Sequence, residues 1–101
     1  MTSAQGTDFS AYQAPIAPAD LAGLDFAFTK ATEGLTITDP DFGDNWTALG
    51  AAAGLHRGAY HEYRPDADPL AQAQHFVSAV KAHGLRPGAI LALVAAAYPG
   101  I

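Results

Sequence analysis

The stretch that decides the fold is residues 24–34, which reads Leu-Asp-Phe-Ala-Phe-Thr-Lys-Ala-Thr-Glu-Gly. Its first half alternates aromatic and small residues after Gly23, a pattern typical of a short buried strand. Lys30, Thr32 and Glu33 follow just as this strand ends. Because ionisable groups are costly to bury unless they are paired or hydrated, we predict that the strand ends at a polar cleft. The alternative is that Lys30 and Glu33 simply solvate the junction between strand and loop.

Strand signals recur along the chain at residues 5–12, from residue 24, at 55–63 and at 89–94. The last of these is continuously apolar, Ala-Ile-Leu-Ala-Leu-Val, so we expect a strand that is buried on both faces. The strands alternate with helical segments. Such an alternation is typical of parallel strands joined by right-handed crossovers.

Three helices are predicted between the strands. Two of them begin where an aspartate precedes a proline, at Asp39-Pro40 and Asp68-Pro69, because aspartate caps a helix and proline fits its first turn. A brief helix opens at Pro18 and stops at Gly23. We predict an apolar stripe on the second helix at Phe42, Trp46, Leu49 and Ala53 and one on the third at Ala73, Phe76, Val77 and Val80.

The predicted fold class is α/β, with four parallel strands in sequence order and three outer helices. Two architectures fit, an open parallel sheet and the N-terminal half of a (β/α) barrel, since a complete barrel needs ~250 residues and this chain has 101. In either case functional side chains gather at the carboxyl ends of the strands. That reasoning places Asp8, Ser10, Lys30, Glu33, Tyr60 and Glu62 at one rim.

Composition and charge argue against several partners. A net charge of −5 without a basic patch disfavours nucleic acid and an anionic membrane surface, because both would repel the chain. Residues 1–6 lack the charged and apolar regions of a secretory signal, and no apolar run is long enough to span a membrane. The chain has no cysteine, and its four histidines lack His-x-x-x-His spacing. We therefore predict neither a metal nor a cofactor, and the compartment stays open.

Five ordered motifs stand out: Asp8-Phe9-Ser10 with Tyr12-Gln13, residues 25–34, Asp39-Pro40-Asp41-Phe42 with Asn45-Trp46, Arg57-Gly58-Ala59-Tyr60-His61, and Gln72-Ala73-Gln74-His75-Phe76. Together they resemble the start of family 25 glycoside hydrolases, lysozymes (N-acetylmuramidases) that are common as phage endolysins. The resemblance covers residues 5–93. It implies a TIM-like barrel, action at the cell wall, and hydrolysis of the peptidoglycan glycan strand after N-acetylmuramic acid.

Two departures from the family pattern bear on activity. In the family the fourth strand ends in an Asp-x-Glu motif that carries a catalytic aspartate and the general acid, and the resemblance places Val94 and Ala96 at those positions. The family's barrel also needs about as much chain again. We therefore expect residues 1–101 to form a single partial domain, truncated after the fourth strand, and the sequence leaves open whether it is an enzyme.

Glycoside cleavage uses one carboxyl group as a proton donor and a second as nucleophile or stabiliser. The resemblance implies that Asp8 is the catalytic aspartate of the first strand. The alternative is that Asp8 is an ordinary turn or helix-cap residue. Glu33 and Tyr60 correspond to substrate-binding residues of the cleft, where the tyrosine ring could stack on a sugar. The alternative for Glu33 is a solvated charge in a loop, and the alternative for Tyr60 is an ordinary core residue.

Glu62 shares a strand face with Tyr60, so it is another candidate substrate-binding residue and the nearest substitute for the missing acid. We favour the alternative that it forms a salt bridge to Lys30 or Arg64. His61 matches the family's Tyr-His pair, and we predict that it makes a structural hydrogen bond within the strand layer.

Three functions remain in view: a muramidase, a relic that binds peptidoglycan without cutting it, and a gene fragment without independent function. In an isolated chain the first and fourth strands would both be edges, and the inward face would be uncovered. Exposed strand edges and apolar surface favour association between copies, so we also predict self-association through the open barrel edges.

Overall fold

The computed structural model describes residues 5–10 and 15–95, and its centre is a five-stranded sheet. In chain order the strands are β1 (Gly6–Phe9), β2 (Phe26–Glu33), β3 (Ile37–Thr38), β4 (His56–Tyr63) and β5 (Ile90–Ala95). The four longer strands are parallel neighbours in the order β1-β2-β4-β5. The predicted α/β class and strand order are therefore confirmed. β1 ends at Phe9, so Ser10 is not part of it, and residues 11 and 12 of the predicted first strand lie outside the described residues.

β3 lies between the strand that starts at residue 24 and the helix predicted at Asp39-Pro40, where no strand was predicted. Ile37 and Thr38 pair antiparallel with Glu33 and Thr32 at the end of β2. The chain reverses after Gly34, whose φ of 57° is in the left-handed region that glycine adopts without a steric penalty. A pairing of two residues is too short to produce a periodic signal in the sequence, which explains why it was not predicted.

The helical segments are a 3₁₀ helix (Pro18–Leu21), α1 (Phe42–Ala51) and α2 (Pro69–Ala82). α2 begins as predicted, because Asp68 caps it by accepting a hydrogen bond of 2.8 Å from the amide of Ala71. α1 begins later than predicted, with Asp41 as its N-cap. Asp39 instead accepts a 2.9 Å hydrogen bond from the amide of Asp41 and so stabilises the turn before the helix.

The two α-helices cover one face of the sheet. One core cluster contains Phe42, Trp46, Phe76 and Val80 from the helices and Ala31 and Ala59 from the strands. A second cluster contains Phe9, Ile16, Leu21, Ala27 and Leu49. Alanines on the strands leave room for the large helix side chains, so helices and sheet pack closely.

Two predicted core positions are wrong. Ala53 is exposed because α1 has already ended at Ala51. Ala73 is also exposed, and Gln72 takes its place on the buried face of α2. A buried glutamine interrupts the apolar stripe, and it does so because its side chain has specific hydrogen-bond partners, described below.

The prediction that the last strand is buried on both faces is also wrong. β5 is mostly exposed, with Ile90 at 43% and Leu93 at 67% of full exposure. Among the described residues no strand pairs with its outer edge, and the two α-helices pack against β2 and β4. The apolar composition of β5 therefore suits a central strand, whereas its position is at an edge.

Candidate functional site

The face of the sheet opposite the helices forms an open groove of about 390 Å³. Its lining residues are Gly6, Thr7, Asp8, Phe26, Phe28, Tyr60, Ala92 and Val94. The rings of Phe26 and Phe28 meet edge to face, with 6.1 Å between their centres. We call this surface the groove.

Two glycines make room for these aromatic rings. A Cβ atom at Gly58 would collide with the ring of Phe28, and one at Gly6 would collide with the ring of Phe26. The glycine of the Arg-Gly-Ala-Tyr-His motif is therefore required by packing on the groove face.

An irregularity in β2 decides which polar side chains reach the groove. The register with β4 shifts between Lys30 and Thr32, so Ala31 and Thr32 are both buried on the helix side. Glu33 then returns to the face of Lys30. Strict alternation would have separated Lys30 from Glu33 and left Thr32 on the groove side of the sheet.

The carboxyl ends of β2 and β4 carry a charged cluster of Lys30, Glu33, Glu62 and Arg64. Lys30 Nζ lies 2.8 Å from Glu33 Oε1 and 3.6 Å from Glu62 Oε2. Arg64 contacts the other oxygen of Glu33 at 3.1 Å, and it also lies 3.8 Å from Asp66. The predicted salt bridge between Glu62 and Lys30 is thus present. Arg64, the other predicted partner of Glu62, pairs with Glu33 instead.

Glu33 and Glu62 are direct neighbours across the two strands, and they titrate as a pair. The hydrogen bond from Glu62, followed by the one from Lys30, lowers the pKa of Glu33 to about 2. The same bond with Glu33, together with burial, raises the pKa of Glu62. As the pH falls, Glu62 is therefore the first of the two to take up a proton, and Glu33 stays ionised to lower pH. Burial acts to lower the pKa of Lys30, but its hydrogen bond to Glu33 and the charge of Glu62 raise it overall.

Asp8 lies in the groove but away from this cluster. It is exposed and pairs in register with Phe28, which in turn pairs with Gly58. Glu62 is four residues further along β4 than Gly58, which corresponds to roughly 13 Å along the strand direction. Ser10 follows β1 and is half-buried. Asp8 therefore lines the groove at one level of the sheet, whereas Glu33 and Glu62 lie at another level, outside its lining residues.

Tyr60 lies between these two levels. It pairs with Lys30 on β2 and Ala92 on β5, and it lines the groove beside Asp8. Burial and the negative charge of Asp8 raise the pKa of Tyr60. The phenol consequently keeps its proton over a wide pH range, and the half-buried ring presents both an apolar surface and a hydrogen-bond donor.

Val94 occupies the position where the family resemblance calls for an aspartate. It pairs in register with Glu62 and lines the groove. Ala92, two residues earlier, faces the same way. The described part of β5 therefore contributes no carboxylate to the groove, and Ala96 lies outside the described residues.

His61 lies on the helix side of the sheet, where it is fully buried in a hydrogen-bond network. Its Nδ1 is 2.7 Å from Thr32 Oγ1, and its Nε2 is 2.9 Å from Gln72 Oε1. Gln72 uses its amide group to donate to the carbonyls of Arg64 and Ala67, so its oxygen accepts. His61 Nε2 therefore carries the proton, and the Thr32 hydroxyl donates to Nδ1.

The predicted structural hydrogen bond of His61 within the strand layer is thus present, while its partner Gln72 was not predicted. Gln72 also accepts from the amide of Arg64 at 2.9 Å, so one side chain fixes the start of the turn that carries Arg64. The signal in the sequence was its spacing: Gln72, Phe76 and Val80 recur every four residues on one helix face.

Neither a metal site nor a membrane-spanning helix is found within residues 5–10 and 15–95. No three side chains of the His, Asp or Glu type are placed to hold a metal ion there. In the same part of the chain, no helix has the length and apolarity that crossing a membrane requires.

Comparison with known proteins assigns this chain to a family. The model of the glycosyl hydrolases family 25 matches residues 5–95. The chain belongs to glycosyl hydrolase family 25. Lysozyme M1 of Streptomyces globisporus is 44% identical over 77 residues, which are 73% of this chain and 26% of that protein. N,O-diacetylmuramidase of Chalaropsis sp is 39% identical over 85 residues, or 79% of this chain and 38% of that protein.

The fold agrees with this assignment. A family 25 glycosyl hydrolase from Bacillus anthracis matches with a TM-score of 0.78 at 32% identity, covering 92% of this chain and 42% of that one. The four parallel strands with outer helices are thus the N-terminal part of a TIM-like barrel, as the resemblance implied. The chain spans less than half the length of each of these three family 25 proteins.

Proposed function

We propose that this chain derives from a peptidoglycan-cleaving lysozyme, and that its 101 residues alone do not hydrolyse peptidoglycan at a lysozyme-like rate. The observation that carries this proposal is Val94 in the groove beside Glu62. The resemblance places the family's catalytic aspartate at Val94 and its general acid at Ala96. Loss of a general acid typically costs ~10²- to 10⁴-fold in rate. Loss of the neighbouring carboxylate adds to that.

The remaining carboxylates do not replace the missing pair. Retaining enzymes hold their two carboxyl groups about 5 Å apart and inverting enzymes about 6.5–9.5 Å apart. Asp8 and Glu62 are offset by roughly 13 Å along the strands, and their side chains leave the sheet on the same face. A backbone offset of that size argues against a carboxyl pair at either separation.

Glu33 and Glu62 are close enough to each other, but their bonds make them poor catalysts. A proton taken up by Glu62 is shared with Glu33 through their hydrogen bond, so it is not presented to a leaving oxygen. Glu33 accepts hydrogen bonds from Lys30 and Arg64, and its lowered pKa makes it a weak base and nucleophile. This pair therefore stabilises the rim of the groove.

A second candidate function is binding of the peptidoglycan glycan strand without cleavage, and the aromatic lining of the groove favours it. Phe26, Phe28 and Tyr60 offer apolar faces of the kind that stack on sugar rings, and Asp8 is an exposed acceptor for hydroxyl groups. The groove is open along its length, so an extended polymer can enter from the side.

Co-sedimentation with purified insoluble cell walls tests this binding. We expect the chain to pellet with the walls, Tyr60→Ala to weaken binding about tenfold and Tyr60→Phe to retain most of it, because stacking needs the ring more than the hydroxyl. Equal pelleting of all three proteins would contradict binding in the groove. No pelleting of the parent chain would favour the remaining hypothesis, a fragment without independent function.

Self-association is a further part of the proposal. The exposed side chains of Leu91 and Leu93, together with the free edge of β5, offer apolar surface and unpaired backbone groups to a second copy. Sedimentation velocity over a wide concentration range should show reversible association that Leu93→Lys weakens. A compact monomer at every concentration would contradict it.

A further inference from the structure

A second concave site lies at the opposite end of the sheet from the charged cluster. It is a pocket of about 540 Å³ between the end of α2, the start of β4 and the turn before β5. Four basic side chains line it: His56, Arg57, His83 and Arg86. We call it the basic pocket.

The pocket is lined by positive groups, whereas the chain as a whole has a net negative charge. The chain has five Lys and Arg residues against ten Asp and Glu residues, yet the residues that line this pocket include two arginines and two histidines and no acid. Among the described residues, no carboxylate forms a salt bridge with Arg57 or Arg86. The other arginine of the chain, Arg64, has two such partners.

Arg57 is held rigidly at the wall of the pocket. It donates from Nη1 to the carbonyl of Trp46 at 2.9 Å and from Nη2 to that of Gly84 at 3.4 Å. Its guanidinium also lies 3.9 Å from the centre of the Trp46 ring. These two bonds use two of five N–H donors, so the remaining donors are held in a fixed orientation.

The second arginine, Arg86, lies close enough to act on the first. Burial and the positive charge of Arg86 both lower the pKa of Arg57, and no carboxylate of the described residues offsets them. Two guanidinium groups that repel each other across a concave surface form an unneutralised positive site. A bound anion would remove this repulsion.

We propose that the basic pocket binds the phosphate group of a small phosphate ester. Guanidinium groups match the oxygens of a phosphate in a bidentate arrangement, which favours this anion over chloride. The pocket volume exceeds what a bare phosphate fills, and Leu55, Pro87 and Ala89 add an apolar wall that can contact an attached polyol or sugar. This site is separate from the groove, so it does not depend on the function proposed for the groove.

Titration with inorganic phosphate at constant ionic strength, followed by amide NMR, tests the proposal. We expect saturable shifts at Gly84 and Gly88 with a dissociation constant of roughly 1 mM or below, and no shifts at Gly34 across the sheet. Glycerol 3-phosphate should bind more tightly than inorganic phosphate, and glycerol should not bind. Shifts spread over the whole chain, or none at about tenfold higher phosphate, would overturn the proposal.

Two variants of Arg86 and one control sharpen the test. Arg86→Gln should weaken phosphate binding about tenfold, because one charge-assisted hydrogen bond is lost, and Arg86→Lys should fall between it and the parent chain. Lys81→Gln removes an equal charge from the exposed end of α2 outside the pocket, and it should bind like the parent. An equal loss in Lys81→Gln and Arg86→Gln would show that general charge attraction, and not a site, accounts for the binding.

Discussion

The two faces of one sheet differ sharply in this chain. On the helix side, Ala59 and His61 of β4 are fully buried, the latter with its ring nitrogens bonded. On the groove side of the same strand, Tyr60 and Glu62 are partly exposed and their surroundings are charged. Successive residues of a single strand therefore serve stability and surface chemistry in turn.

The difference shows where the stability of the chain resides. Helices α1 and α2 complete the core over β2 and β4, whereas β5 and the groove have no such cover among the described residues. The apolar side chains of β5 contribute little to the core despite their composition. Substitutions on the two faces should consequently have very different effects on the free energy of unfolding.

The largest contrast is expected between two leucines given the same substitution. Leu49 is 0% exposed on the buried face of α1, and Leu93 is 67% exposed on β5. Leu49→Ala should lower the free energy of unfolding by about 2–5 kcal/mol, because it leaves a cavity. Leu93→Ala should change it by less than ~0.5 kcal/mol. Urea denaturation measures both, and similar losses would mean that β5 is covered.

A smaller contrast is expected between two glutamines of α2. Gln72→Leu should lower the free energy of unfolding by about 1–3 kcal/mol, because it leaves His61 and the backbone groups around Arg64 without their partner. The matched control, Gln74→Leu on the exposed face, should be close to neutral. A neutral Gln72→Leu would show that the buried network contributes no stability.

The smallest contrast concerns the two glutamates at the rim. At pH 7, Glu33→Gln should cost about 1 kcal/mol through lost contacts with Lys30 and Arg64, whereas Glu62→Gln should lie within ~0.5 kcal/mol of the parent, since it also removes repulsion from Glu33. The lowered pKa of Glu33 means that its contribution is fully present above its usual value of 4.5 and is lost as pH falls towards 2.

Denaturation of the parent chain and both variants across this pH range measures the effect. The difference between the parent and Glu33→Gln should shrink steadily between pH 4.5 and about 2. A difference that is constant with pH, or a larger cost for Glu62→Gln than for Glu33→Gln at neutral pH, would contradict the assignment of the shared proton to Glu62.

The sequence predicted the fold better than the site. The alternation of strand and helix signals along the chain was sufficient for the strand order, and the cap at Asp68 was sufficient for the start of α2, because both signals are visible in the sequence itself. The irregularity at Ala31 was not predictable, since it depends on how β2 and β4 pair. It moved Thr32 to the helix side and brought Glu33 next to Glu62.

Exposure of β5 was not predictable from its residues either. An apolar hexapeptide predicts a buried strand wherever it occurs, and only the arrangement of the neighbouring elements determines whether it is covered. The same limit applies to Arg57 and Arg86, which are far apart in the sequence and come together through the turn after α2.

The most direct test of the account is release of reducing sugar from purified cell walls by the 101-residue chain, with a complete family 25 lysozyme as the positive control. We predict release no faster than the background without protein, and no further change on Asp8→Asn or Glu62→Gln. Robust turnover that disappears on Asp8→Asn would contradict the account, because it would show that the open groove suffices for hydrolysis without a carboxylate at position 94.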